Sequence, residues 1–178
     1  QRALIAMALI NKPSLIIADE PTTALDVTIQ SQMLELMKSL QRETQTALIL
    51  ITHDLGVVAK MAHRVAIIYA GKIVESANTV DIYRRPAHPY TVGLLNSIPS
   101  VSQSSEKPLF SIKGTPPDLF NPPKGCGFAP RCEHAMEICD QYQPPDFHVD
   151  NEHISACWLH HHQAPNNDIK RADNPVKD

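Results

Sequence analysis

The sequence predicts an α/β fold, the second half of a mainly parallel sheet, followed by a largely irregular extension that contains cysteines. Three observations carry this. Two short apolar runs, Leu15–Ala18 and Thr46–Ile51, each end abruptly in polar residues, the pattern of strands buried on both faces. Between them Ile29, Met33, Leu36, Met37 and Leu40 recur at helical spacing, with polar residues on the opposite side. Thirteen of the 15 prolines and all 4 cysteines lie at or beyond Pro86, whereas the regular apolar periodicity lies almost entirely before it.

Taken in order, residues 1–11 are rich in Ala, Leu, Ile and Met and apolar nearly all round, which predicts a buried helix ended by Lys12 and Pro13. The first strand follows and stops at Pro21. Asp26 is placed to cap a helix that begins at Val27. The strand over 46–51 runs into Thr52, His53 and Asp54, and Asp54 can cap a short helix over 55–61. Ala70 and Gly71 make a turn between strands 64–69 and 72–76, a hairpin, and Thr79 caps a short helix through Tyr83. Beyond Pro86 one more helical stretch is expected over 91–97. The prolines at 116, 117, 122, 123, 144 and 145 then argue against regular elements through most of the extension, which needs a staple to be ordered. From Asn166 the chain is polar and expected to be disordered. The domains expected are therefore 1–85, 86–165 and a tail over 166–178.

A net charge of −3 with scattered Lys and Arg gives no face for nucleic acid. The apolar run 3–10 is far shorter than the roughly 18 residues a membrane span needs. A soluble, cytoplasmic chain is expected. It starts with Gln1 inside a helical pattern, so it reads as the latter part of a longer protein.

The stretch LIIADEPTTALD, residues 15–26, places paired carboxylates, Asp19 and Glu20, at the end of a strand. Open α/β sheets bind ligands there, and one acid can hold a metal while the other activates water. Some thirty residues later LILITHD ends the second strand in His53. In order, spacing and element, these two segments resemble the Walker B, D-loop and switch-histidine segments of ATP-binding-cassette (ABC) ATPases, and Gln1-Arg2 resembles the residues after that family's signature motif. The resemblance implies the second half of an ABC-type, RecA-like nucleotide-binding domain. It further implies that Asp19 holds the Mg²⁺ hydration shell, Glu20 acts as general base, His53 contacts the γ-phosphate of ATP, and Asp26 acts across a nucleotide-sandwich dimer with a second ATPase subunit. The sequence contains neither a GxxxxGK[ST] phosphate loop nor a signature motif, so this chain alone is expected to bind ATP negligibly and not to hydrolyse it.

Two further segments narrow the resemblance. RRPAHPYT, residues 84–91, is similar to the segment after the ATPase domain in peptide-importer members of the family; His88 and Tyr90 are expected to pack. Cys126, Cys132, Cys139 and Cys157 are separated by five, six and seventeen residues, spacings unlike paired CxxC. Four clustered cysteines in a cytosolic chain suggest metal. CGFAPRC with two later cysteines resembles the C-terminal region of dipeptide and oligopeptide importer ATPases, some of which carry a [4Fe–4S] cluster; zinc and unligated or disulfide-bonded cysteines stay open. His160, His161 and His162 read as a solvated basic cluster.

The resemblance implies an ATPase subunit that energises dipeptide or oligopeptide import. Its site would lie peripherally on the cytoplasmic face of the inner membrane, with integral-membrane permease subunits and, indirectly, an extracellular or periplasmic peptide-binding protein as partners. Another solute such as nickel, a soluble non-transport ABC ATPase, and a metal- or redox-sensing tail remain alternatives.

Overall fold

The computed structural model describes residues 2–23, 25–98 and 111–165. Gln1 and the tail expected over 166–178 lie outside the described residues. The chain forms two compact units, residues 1–62 and 63–178.

The first unit contains α1 (Arg2–Leu9), β1 (Leu15–Asp19), α2 (Val27–Thr44), β2 (Ala47–Ile51) and α3 (Leu55–Met61). β1 and β2 pair in parallel, from Leu15 opposite Ala47 to Asp19 opposite Ile51. Parallel neighbours need a crossover, and α2 supplies it. Both helix starts fall where the sequence places them. Asp26 accepts hydrogen bonds from Thr28 N–H at 3.0 Å and Ile29 N–H at 2.9 Å, and Asp54 from Gly56 N–H at 2.8 Å and Val57 N–H at 3.1 Å. α2 turns Met33, Leu34 and Met37 inward.

Two expectations about burial are corrected. α1 is not buried all round: Leu4 and Met7 are 65% and 67% exposed, and Ile10, just past its end, 78%. Nor are the strands buried on both faces, since Leu15, Ile17, Ile49 and Ile51 are exposed. These residues alternate along two paired strands and share one face. Among the described residues that face is left uncovered, whereas Ile16, Leu48, Met33 and Met37 line a common apolar cavity with α1.

The second unit is built on an antiparallel hairpin, β3 (Arg64–Tyr69) and β4 (Lys72–Asn78). Ala70 and Gly71 both take positive φ, 48° and 74°, the handedness a two-residue hairpin turn requires. α4 (Thr79–Arg84) is capped by Asn78 rather than Thr79, because Asn78 is the last extended residue and its side chain accepts Asp81 N–H at 2.9 Å. α5 (Pro89–Asn96) starts two residues earlier than the sequence suggests, with Pro89 in the first turn, where its missing N–H costs nothing, and His88 as cap.

The extension is more regular than its prolines imply. It contains a 3₁₀ turn (Ala129–Arg131), α6 (Glu137–Gln141), β5 (Phe147–His148), β6 (Ile154–Ser155) and a second 3₁₀ turn (Trp158–His160). β6 pairs with β4, and β5 with β6, giving the order β3-β4-β6-β5. The hairpin is therefore part of an antiparallel sheet separate from the β1–β2 pair, and the sheet runs across the compositional change at Pro86. Pro144 and Pro145 lie outside the paired positions and remove no ladder donor. No helix among the described residues is long and apolar enough to cross a membrane.

Candidate active site and cysteine loop

The parallel register sets the first site. Asp19 is opposite Ile51, Glu20 N–H donates to Ile51 carbonyl at 2.9 Å, and His53 follows two residues past the end of β2. Glu20 takes a positive φ of 46°, uncommon for a residue with a side chain. The chain thus turns sharply where β1 ends. His53 Nδ1–H donates to Glu20 Oε1 at 2.7 Å, and Thr23 Oγ1–H donates to the other oxygen, Oε2, at 2.9 Å. Thr23 N–H also closes the turn onto Glu20 carbonyl at 3.2 Å.

The electrostatics follow from these bonds. Glu20 is held below its ordinary value by the His53 hydrogen bond and then by Thr23. His53 is raised, first by the same hydrogen bond and then by the Glu20 charge. Both side chains are open to solvent, 83% for His53 and 37% for Glu20, so a substrate can reach them. Asp19 is exposed at the end of β1. Asp26 stands at the α2 cap, its Oδ1 taken by two backbone N–H groups. Asp54 accepts the Gln30 amide at 3.1 Å, which ties the base of the His53 loop to α2. The sequence reading did not single out Thr23; its signal is a hydroxyl three residues after a turn acid.

The second constellation is in the other unit. Phe128 is buried among Tyr69, Tyr90 and His88, with ring centroids 5.2, 5.4 and 5.9 Å away, and this seats the loop that bears Cys126 and Cys132. Arg131 donates to Tyr69 hydroxyl and to the carbonyls of Ile112 and Lys113. His88 and Tyr90 pack as the sequence suggests. Burial, reinforced by the charge of His160, lowers His88 to about 4, so the neutral ring accepts Tyr90 N–H at Nδ1. His160 and His161 do not form a solvated cluster: His160 reaches Ala87 carbonyl at 2.7 Å, and His161 stacks near Phe147 and Trp158.

All four cysteines are free thiols. Cys139 Sγ accepts the backbone N–H of Met136 at 3.5 Å. Burial pushes Cys126 up, Cys132 to about 11 and Cys157 to about 12; thiolate charge on the neighbouring cysteines adds to each rise. Among the described residues, however, no group of three or more His, Cys, Asp or Glu side chains is disposed to hold a metal ion.

Comparison with known proteins finds close relatives of the chain. Residues 74–139 match the family described as oligopeptide/dipeptide transporter, C-terminal region. The chain is 57% identical over 165 residues, 93% of its length, to the oligopeptide transport ATP-binding protein OppD of Bacillus subtilis strain 168, covering 46% of that protein. It is 54% identical over 164 residues to the dipeptide transport ATP-binding protein DppD of the same organism, 92% of this chain and 49% of that one. Against OppD of Salmonella typhimurium strain LT2 it is 52% identical over 144 residues, 81% and 43% of the two chains. The chain spans about half the length of the curated relatives it matches. The kinship expected from the sequence is borne out.

Proposed function

We propose that this relative of the oligopeptide and dipeptide transport ATP-binding proteins is the C-terminal part of an ABC-type ATPase subunit that energises peptide import. The observation that carries the reading is the Glu20–His53 contact of 2.7 Å at the ends of two parallel strands, in a chain 57% identical to an oligopeptide transport ATP-binding protein. Residues 1–85 form the second half of a RecA-like nucleotide-binding domain and 86–165 a peptide-importer extension.

In this reading ATP is the substrate. The oxygen of a water bonds the γ-phosphorus, the bond from that phosphorus to the ADP oxygen breaks, and Glu20 takes the water's proton. His53 contacts the γ-phosphate. A single hard carboxylate suits Mg²⁺, which keeps waters and phosphates as its other ligands; Asp19 would hold it through its hydration shell. The ion would supply charge neutralisation at the phosphates. Asp26 acts across a dimer with a second ATPase subunit. The partners are membrane permease subunits, with an extracellular or periplasmic peptide-binding protein acting on them, and the complex lies at the cytoplasmic face of the inner membrane. Lacking a phosphate loop, these 178 residues alone do not turn over ATP.

We further infer that Cys126, Cys132, Cys139 and Cys157 are ligands of a [4Fe–4S] cluster, with zinc as the alternative. Support comes from the donor set itself, four free thiols in one extension, of which Cys139 Sγ already accepts a backbone N–H, from Met136, as cluster sulfurs do. Iron and acid-labile sulfide assays after anaerobic purification test this; a colourless, zinc-loaded protein overturns it.

The function is tested by peptide uptake. Cells whose own copy of the gene carries Glu20→Gln are expected to lose ATP-driven accumulation of a radiolabelled tripeptide, with the protein still present at the membrane. Unchanged uptake overturns the reading.

A further inference from the structure

Glu20 is held from two sides, and only one of its two side-chain partners belongs to the expected machinery. We propose that Thr23 is a positioning residue for the carboxylate of Glu20, an inference that rests on Glu20 being the general base.

The geometry starts from the backbone. Glu20 has a φ of 46°, its N–H is fixed to Ile51 carbonyl at 2.9 Å, and its carbonyl accepts Thr23 N–H at 3.2 Å. Thr23 is therefore held in place by the same turn that redirects the chain at Glu20. From that place its hydroxyl donates to Glu20 Oε2 at 2.9 Å, while His53 Nδ1 occupies Oε1 at 2.7 Å. A glutamate has three side-chain torsions, and an exposed one is spread over many rotamers. Two donors on two different oxygens select one orientation of the carboxylate plane.

The two donors differ in how permanent they are. In the proposed mechanism His53 contacts the γ-phosphate, so its bond to Oε1 is exposed to competition when nucleotide arrives. Among the described residues the Thr23 hydroxyl bonds Glu20 alone: its bond is made within one turn, three residues from Glu20, and travels with it. When His53 turns to phosphate, Oε1 is freed to accept a proton from water and Oε2 stays anchored. The adjacent Thr22 is buried, whereas Thr23 is exposed beside the Glu20 carboxylate. Removing the Thr23 hydroxyl should leave nucleotide binding intact and lower the fraction of time the base is aimed at water. Misplacement on this scale costs about tenfold to a hundredfold in rate.

The test is steady-state ATPase activity of the purified, assembled transporter carrying Thr23→Val, Thr23→Ser or Glu20→Gln. Thr23→Val, which keeps the shape of the side chain, is expected to lower kcat tenfold or more with KM for ATP within twofold of wild type, and Thr23→Ser to restore kcat to within about threefold. Thr23→Ala is the second variant should Val fail to assemble, with the same expectation. Wild-type kcat in Thr23→Val, or a loss that Thr23→Ser does not rescue, overturns the positioning role while Glu20→Gln still abolishes turnover. Turnover at the wild-type rate in Glu20→Gln overturns the general-base reading itself, and the inference with it.

Discussion

Glu75 on β4 and His153, just before β6, meet at 2.7 Å through Nε2–H and a carboxylate oxygen, with both residues 1% exposed. The same carboxylate accepts Ala87 N–H at 2.7 Å and His88 N–H at 2.9 Å. A buried acid with three donors from two other segments fixes hairpin, linker and extension in one place. Nothing in the apolar pattern of the sequence signals it, because Glu75 occupies an ordinary strand position.

The loss should be unequal on the two sides of this pair. Glu75→Gln turns one acceptor oxygen into an amide nitrogen that faces one or two of the three donors, and is expected to cost about 3 kcal/mol. His153→Leu is expected to cost less, about 1–2 kcal/mol, because it also removes Nδ1, a buried atom with no hydrogen-bond partner among the described residues. Trp158 is the only tryptophan, so urea unfolding followed by its fluorescence reports the extension. The reverse order of the two midpoints would contradict this account.

Acid should loosen the second unit. The folded pKa of His88 is depressed to about 4 from an ordinary 6.5, so the unfolded chain binds the proton first. The contribution of neutral His88 is fully present above pH 6.5 and is lost as pH falls through about 4, at most on the order of 3 kcal/mol. His88→Asn, which can still cap α5, is expected to flatten the dependence of the Trp158 urea midpoint on pH over that window.

In the first unit, His53 should stay protonated above its ordinary 6.5 and Glu20 ionised below its ordinary 4.5. The pair's contribution is therefore present between those values. It is lost as pH rises through the folded pKa of His53 or falls through that of Glu20. Histidine ring NMR is expected to show the His53 midpoint returning toward 6.5 in Glu20→Gln. Asp54, the other charge acting on His53, is unchanged in that variant. An unmoved midpoint would show that the contact does not persist in solution.

Gly125 should be irreplaceable in the cysteine loop. A Cβ there would lie 2.1 Å from Cys139 carbonyl oxygen, the acceptor of Cys126 N–H. Gly125→Ala is expected to cost about 1–3 kcal/mol and to speed the reaction of the buried thiols with a disulfide reagent at least severalfold. Equal labelling rates in the two proteins would refute the close packing.

Much of the first unit, and the hairpin turn of the second, could be read directly. Capping by Asp26 and Asp54, the hairpin turn at Ala70-Gly71 and the elements themselves depend on neighbours a few residues apart, and local chemistry is written locally. The apolar runs, by contrast, mark only a capacity for burial, and whether α1 and the outer face of β1–β2 are covered depends on which elements lie against them. In the extension the prolines concealed short strands, because a two-residue strand leaves no period to detect.

By itself the sequence determined the kinds of group at the site, a strand-end acid pair and a histidine after the next strand, and the family those groups resemble. Only the tertiary structure decided that Glu20, not Asp19, meets His53, that Thr23 completes the hold, and that Glu75 and His153 join across 78 residues. The reason is physical: side-chain identity is fixed residue by residue, but a hydrogen bond needs two groups within about 3 Å and aligned. That alignment comes from the β1–β2 register and the positive φ at Glu20 for one pair, and from the packing of β4 against β6 for the other.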